Sequence, residues 1–116
     1  MNDPQYVEAA RHLAATTLNW GQRKQAKDET FERDPESLRY VFRRALGREP
    51  IESETKLLAE TLEWNRKSFR DNVEQANQLI AIGQSDVDKD VAAAELASWT
   101  MIANLIMNMD EFVTKN

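Results

Sequence analysis

The chain has 116 residues, 20 acidic against 15 basic side chains, a formal net charge of -5 and no cysteine. That length fits one domain able to bury roughly two-thirds of its unfolded surface, so folding needs neither a metal nor a disulfide. Without cysteine the chain offers no disulfide framework, no thiolate zinc site and no covalent haem attachment motif. The acidic balance and the scattered lysines and arginines argue against a nucleic-acid binder, which presents a basic stripe to the phosphate backbone. The two densest basic clusters, Arg43-Arg44 with Arg48 and Arg66-Lys67 with Arg70, read as solvated helix faces.

Three glycines and three prolines allow few breaks, and each falls where a helix boundary would want it. Asp3-Pro4 reads as an N-cap followed by proline at the first helical position. A first helix then runs to about Asn19, with Val7, Ala10, Leu13, Ala14, Thr17 and Leu18 on one face and Gly21 as its stop. Residues 22–33 are polar apart from Ala26 and Phe31 and read as a connection. Asp34-Pro35 repeats the start signal. Leu38, Val41, Phe42, Ala45 and Leu46 line the short second helix, and Gly47 closes it as a left-handed cap residue.

A third helix is expected from Glu52 or Ser53 to Ile82. Its apolar face comprises Leu57, Leu58, Thr61, Leu62, Phe69, Val73, Ala76, Leu79 and Ile80, interrupted by the polar run 65–67, with a kink expected between Arg70 and Asn72. A polar loop, 84–88, leads to a fourth helix, expected from about Lys89 to Met109 with Asp88 or Asp90 as its cap. This helix is apolar on more than one side and therefore central. The tail, 110–116, is expected to fold back through Phe112 and Val113. The apolar stretch from Leu96 to Met109 is too short for a membrane span, which needs roughly 20 predominantly apolar residues. Met1-Asn2-Asp3-Pro4 shows neither the basic nor the apolar region of an export signal. With no alternating strand pattern, the fold class is all-α: about four antiparallel helices in an irregular bundle, no sheet, one domain over 1–116.

Candidate chemistry is sparse. His12, the only histidine, follows Glu8 by four residues, the spacing of a base oriented by a carboxylate. No nucleophile or second acid is placed to complete a site, so a helix-surface pair is the preferred reading. One histidine cannot supply the two Glu-x-x-His pairs of a di-metal bundle. The pairs Glu60–Glu63 and Asp110–Glu111 are no more informative than any other acid pair in an acidic helical chain. Met101, Met107 and Met109 with Trp99 resemble a ligand pocket, but methionine is also the filler of irregular cores. The run from Asp86 to Asp90 begins like a calcium loop yet lacks its glycine and its closing glutamate. No catalytic, cofactor or metal residues are therefore assigned.

Three segments together resemble a known family: N-D-P-Q-Y-V-E-A-A-R at 2–11, F-R-R-A-L-G-R-E-P at 42–50 and E-L-A-S-W-T-M-I-A-N-L-I-M-N-M-D-E-F-V-T-K at 95–115. The chain resembles the C-terminal part of a planctomycete domain of unknown function, of the PSD-one type, which follows planctomycete cytochrome c-type domains in large exported proteins. The resemblance implies a C-terminal fragment of a multidomain protein, exported to the periplasm or cell surface. Haem c would be carried only by an upstream domain, and the other domains of the parent would be its partners. It carries over no catalytic residues. Its motif residues have structural roles instead. Asp3 and Pro4 start a helix, Gly47 ends one, and Trp99 and Asn104 sit on the central helix. Arg43 or Arg44 is expected to anchor the tail through Asp110 or Glu111. Family members often place Thr or Ser where Ile51 stands, so the cap of the third helix is expected to shift to Ser53. The functional expectation is a non-catalytic structural or interaction module. The alternatives are a binding segment that completes a site with upstream domains and a free-standing helical adaptor. Truncation of a parent chain would also expose a face for homodimerisation.

Overall fold

A computed structural model describes residues 4–81 and 93–114, with side chains for 7–80 and 93–109. It contains five helices: α1 (Pro4–Lys27), α2 (Arg33–Leu46), α3 (Glu52–Asp71), α4 (Val73–Ala81) and α5 (Ala93–Thr114). Among the described residues there is no strand, so the all-α expectation holds, and no helix is long and apolar enough to cross a membrane.

α5 is the axis of the bundle, and α1, α2, α3 and α4 all pack on it. Its residues from Leu96 to Thr100 are all buried, which a helix can accept on every side only if its polar groups are satisfied. They are: Ser98 Oγ donates to the Ala94 carbonyl and Thr100 Oγ1 to the Leu96 carbonyl, each at 2.7 Å. The main core joins Ala10, Ala14 and Leu18 of α1, Leu38, Val41 and Phe42 of α2, Leu58 and Leu62 of α3, and Trp99, Ile102, Ala103 and Ile106 of α5. Ala10, Ala14 and Ala103 carry no bulk, so α1 and α5 approach closely there. Each large side chain so buried contributes about 1.5–3 kcal/mol. A second cluster, Phe69, Ala76 and Ala97, ties the end of α3 and the whole of α4 to the start of α5. Met107 and Met109 pack on the first cluster and Met101 on the second, as core fillers.

Several boundaries differ from expectation, each for a local reason. α1 does not stop at Gly21 but continues to Lys27, taking in half of the segment expected to be a connection. Gly21 is buried, and a Cβ there would lie 2.8 Å from Ser37 Oγ. This glycine is therefore a crossing point of α1 and α2 rather than a cap. α2 begins at Arg33 with Glu32 in the cap position, and Asp34 lies inside its first turn. The start signal is two residues out of register because Asp34 serves an ion pair described below.

α3 begins at Glu52 with Ile51 as its N-cap, so the cap does not move to Ser53. Isoleucine has no acceptor to offer, and Glu54 supplies the return half of a capping box by accepting the Ile51 N–H at 2.9 Å. The expected long third helix divides at Asn72 into α3 and α4. Asn72 leaves helical geometry at φ -140° and ψ 78°. Its side-chain Oδ1 then accepts the Gln75 N–H at 3.1 Å, so an asparagine cap does what no proline or glycine was present to do. Leu57 and Val73, assigned to the buried face, are 49% and 52% exposed. α5 stays helical to Thr114, through most of the stretch expected to fold back. The expected caps Asp3, Asp88 and Asp90, and the side chains of Asp110, Glu111, Phe112 and Val113, lie outside the described residues.

Candidate functional site

The strongest polar constellation is centred on Arg66, in the run that reads from sequence as a solvated face. Its Nη1 and Nη2 meet Asp34 Oδ2 and Oδ1 at 2.7 and 3.0 Å. Nε and Nη2 reach Glu95 Oε2 and Oε1 at 3.1 and 2.5 Å, and Nη1 reaches Glu63 at 2.9 Å. A guanidinium has five N–H donors, and this set occupies all of them. Trp99 Nε1 adds a bond to Glu95 at 3.2 Å. The Asp34 carboxylate first, then Glu95, raise the Arg66 pKa above its ordinary value against partial burial. One side chain thus fastens α2, α3 and α5 and fixes the orientation of Trp99. With all five donors so occupied, Arg66 acts as a fastener between helices.

A second arginine, Arg11, is anomalous in the opposite sense. It is fully buried, and among the described residues its Nε, Nη1 and Nη2 have no hydrogen-bond partner. It falls in line with Val7, Ala14 and Leu18 on the core-facing side of α1, so its burial is dictated by helical spacing.

Glu54 is held by Arg48 in a two-pronged contact, Nη1 to Oε1 at 2.9 Å and Nη2 to Oε2 at 2.8 Å. The Arg48 hydrogen bonds, helped by the Ile51 N–H and opposed by desolvation, lower the Glu54 pKa to about 2. This clamp locks the turn between α2 and α3.

The outer surface of α1 and α2 carries an aromatic ladder. Trp20 stacks on Tyr40 with centroids 4.2 Å apart and planes 17° apart. Phe31 meets Trp20 edge-on at 5.6 Å, the Arg44 guanidinium lies 5.3 Å from the Tyr40 centroid, and Lys24 approaches Trp20 at 5.9 Å. Beside it runs a groove of about 380 Å³ lined by Tyr40, Arg43, Arg44 and Gly47.

The residues singled out from sequence do not converge. Pro4 opens α1, as expected. Gly47 adopts φ 72° and its N–H donates to the Arg43 carbonyl at 2.8 Å, closing α2 as expected. Arg43 pairs with Glu49 at 2.9 Å and Arg44 lies over Tyr40, while the tail acids proposed as their partners lie outside the described side chains. Trp99 belongs to the Arg66 hub, whose α2 member Asp34 lies roughly 15 Å along that helix from Arg44 at 1.5 Å per residue. Asn104 is nearly buried, and its carbonyl and its Oδ1 both accept from Asn108 Nδ2, at 2.8 and 3.4 Å. His12 Nε2 lies 3.9 Å from Glu8 on an exposed face. Among the described residues no group of three or more His, Cys, Asp or Glu side chains is placed to hold a metal.

Sequence reasoning missed Arg66 because its partners lie up to 32 residues away. It also missed Arg11, which a helical wheel of α1 would have placed on the apolar face. No family model, no curated protein and no solved structure matches the chain.

Proposed function

We propose that this chain is a non-catalytic helical interaction module, one part of a larger exported protein that carries haem c in an upstream domain. The observation that carries the reading is Trp64, 70% exposed on the outer face of α3. Leu57, two turns earlier on that helix, is 49% exposed, and a shallow depression beside Trp64 is lined by Lys67, Ser68 and Asp71. Tryptophan is over-represented among residues that dominate protein–protein binding, because it buries a large area at little entropic cost. The polar side chains with the best geometry, Arg66 and Glu54, are meanwhile consumed by internal fastening. The sequence resemblance supplies the context: other domains of the parent as partners and no membrane span of the module's own.

A second reading, a binding segment that completes a site with upstream domains, is favoured by the arginine-lined groove on α2. The free-standing adaptor and the homodimer are the competing outcomes. The test is an immunoblot of fractionated source cells with haem staining of the same band. The expected result is a much larger, haem-positive band in the envelope fraction. A haem-free cytosolic band near 13.4 kDa overturns the exported, cytochrome-associated context. Light scattering at high concentration separates the homodimer from the monomer.

A further inference from the structure

The end of α2 concentrates positive charge in an otherwise acidic chain. Residues 39–48 contain four arginines and no acid, although the whole chain has a net charge of -5. Arg39, Arg43 and Arg48 are each paired, with Glu36 and Glu49, with Glu49, and with Glu54. Arg44 is different. It is exposed, with its guanidinium carbon 5.3 Å from the Tyr40 ring centroid, and among the described residues no carboxylate is paired with it. An exposed guanidinium resting beside a ring offers N–H donors that can make two parallel bonds to an oxyanion. Tyr40 is itself braced from behind by Trp20, so the platform is rigid. Gly47 borders the same groove, and a Cβ there would meet nothing within 4 Å, which leaves the groove mouth open.

We propose that the Tyr40–Arg44 groove is a docking site for an acidic peptide segment of a partner protein, with Arg44 taking a carboxylate of that segment. Charge complementarity selects this occupant. A nucleic-acid backbone needs a basic track several phosphates long, whereas here Glu36 and Glu49 border the arginines and would repel a continuous polyanion. A short peptide that places one or two carboxylates between those acids fits the groove of about 380 Å³. The inference deepens the interaction-module reading and rests on it.

The experiment is fluorescence anisotropy with the whole chain and a short fluorescein-labelled peptide carrying two adjacent glutamates among uncharged residues. Saturable binding that weakens with salt is expected, with affinity falling about tenfold in Arg44→Gln, the loss of one charge-assisted contact. Lys56→Gln, which removes the same charge from α3, is expected to change affinity less than about twofold. Arg43→Gln serves as the second variant if circular dichroism shows Arg44→Gln to be misfolded. Three results overturn the proposal: no saturable binding, equal losses in the α2 and Lys56 variants, or tighter binding of heparin or of phosphatidylserine–phosphatidylcholine vesicles than of the peptide. A haem-positive envelope band alongside no peptide binding would sink this inference and leave the module reading standing.

Discussion

Replacing Arg11 with methionine should make the protein more stable. The guanidinium is fully buried and none of its three nitrogens has a hydrogen-bond partner among the described residues. An ion in that position carries an effective desolvation penalty of several kcal/mol after relaxation, and no described carboxylate opposite it returns the Coulomb energy. Methionine keeps most of the apolar stem of the buried arginine, and it adapts to irregular space. Exchanges of buried ionic groups for apolar ones of similar volume are neutral to stabilising by about 1–4 kcal/mol. Arg11, having no partner among the described residues to lose, belongs in the middle of that range. A gain of about 2 kcal/mol would raise the melting temperature by roughly 8 °C in a domain of this size. Urea denaturation of Arg11→Met and wild type gives the difference directly, provided the slope of free energy against denaturant is unchanged. A loss of about 1 kcal/mol or more at constant slope would refute the reasoning, because it would mean that a carboxylate meets the guanidinium in solution.

Arg66→Met should act in the opposite direction. It leaves Asp34, Glu63 and Glu95 facing one another without a cation, at a cost of about 2–3 kcal/mol. That lies below the range for a fully buried pair because Asp34 and Glu63 are partly solvated, and thermal unfolding measures it. Glu54 sets an acid limb to stability. Its folded pKa, about 2, lies below the ordinary 4.5, so the unfolded chain takes up the proton first as pH falls. The contribution is present above about pH 4.5 and is lost towards pH 2, and Glu54→Gln should flatten that part of the melting profile; identical wild-type and variant slopes there would exclude the clamp as its source. Gly21→Val should cost about 2 kcal/mol or more, because its side chain meets Ser37 where a lone Cβ would already lie 2.8 Å from the hydroxyl. A valine variant as stable as wild type in urea would mean that α1 and α2 do not cross there.

Periodicity alone determined the helical class, the central place of the last helix and most of the core, since the spacing of Ala10, Ala14 and Leu18, or of Leu38, Val41 and Phe42, requires one apolar face per helix. Local chemistry also determined the left-handed stop at Gly47, where a single φ sign decides the residue. Tertiary structure decided what depends on neighbours distant in sequence. Whether Gly21 ends a helix or lets another helix approach depends on Ser37 being there. Whether Asp34 caps α2 or binds Arg66 depends on α3 and α5 being packed beside it. The exposure of Leu57 and Trp64 likewise reflects which side of α3 the bundle left uncovered. Each of these is settled by a contact between segments, and a periodic pattern along one segment carries no information about the face that another will present to it.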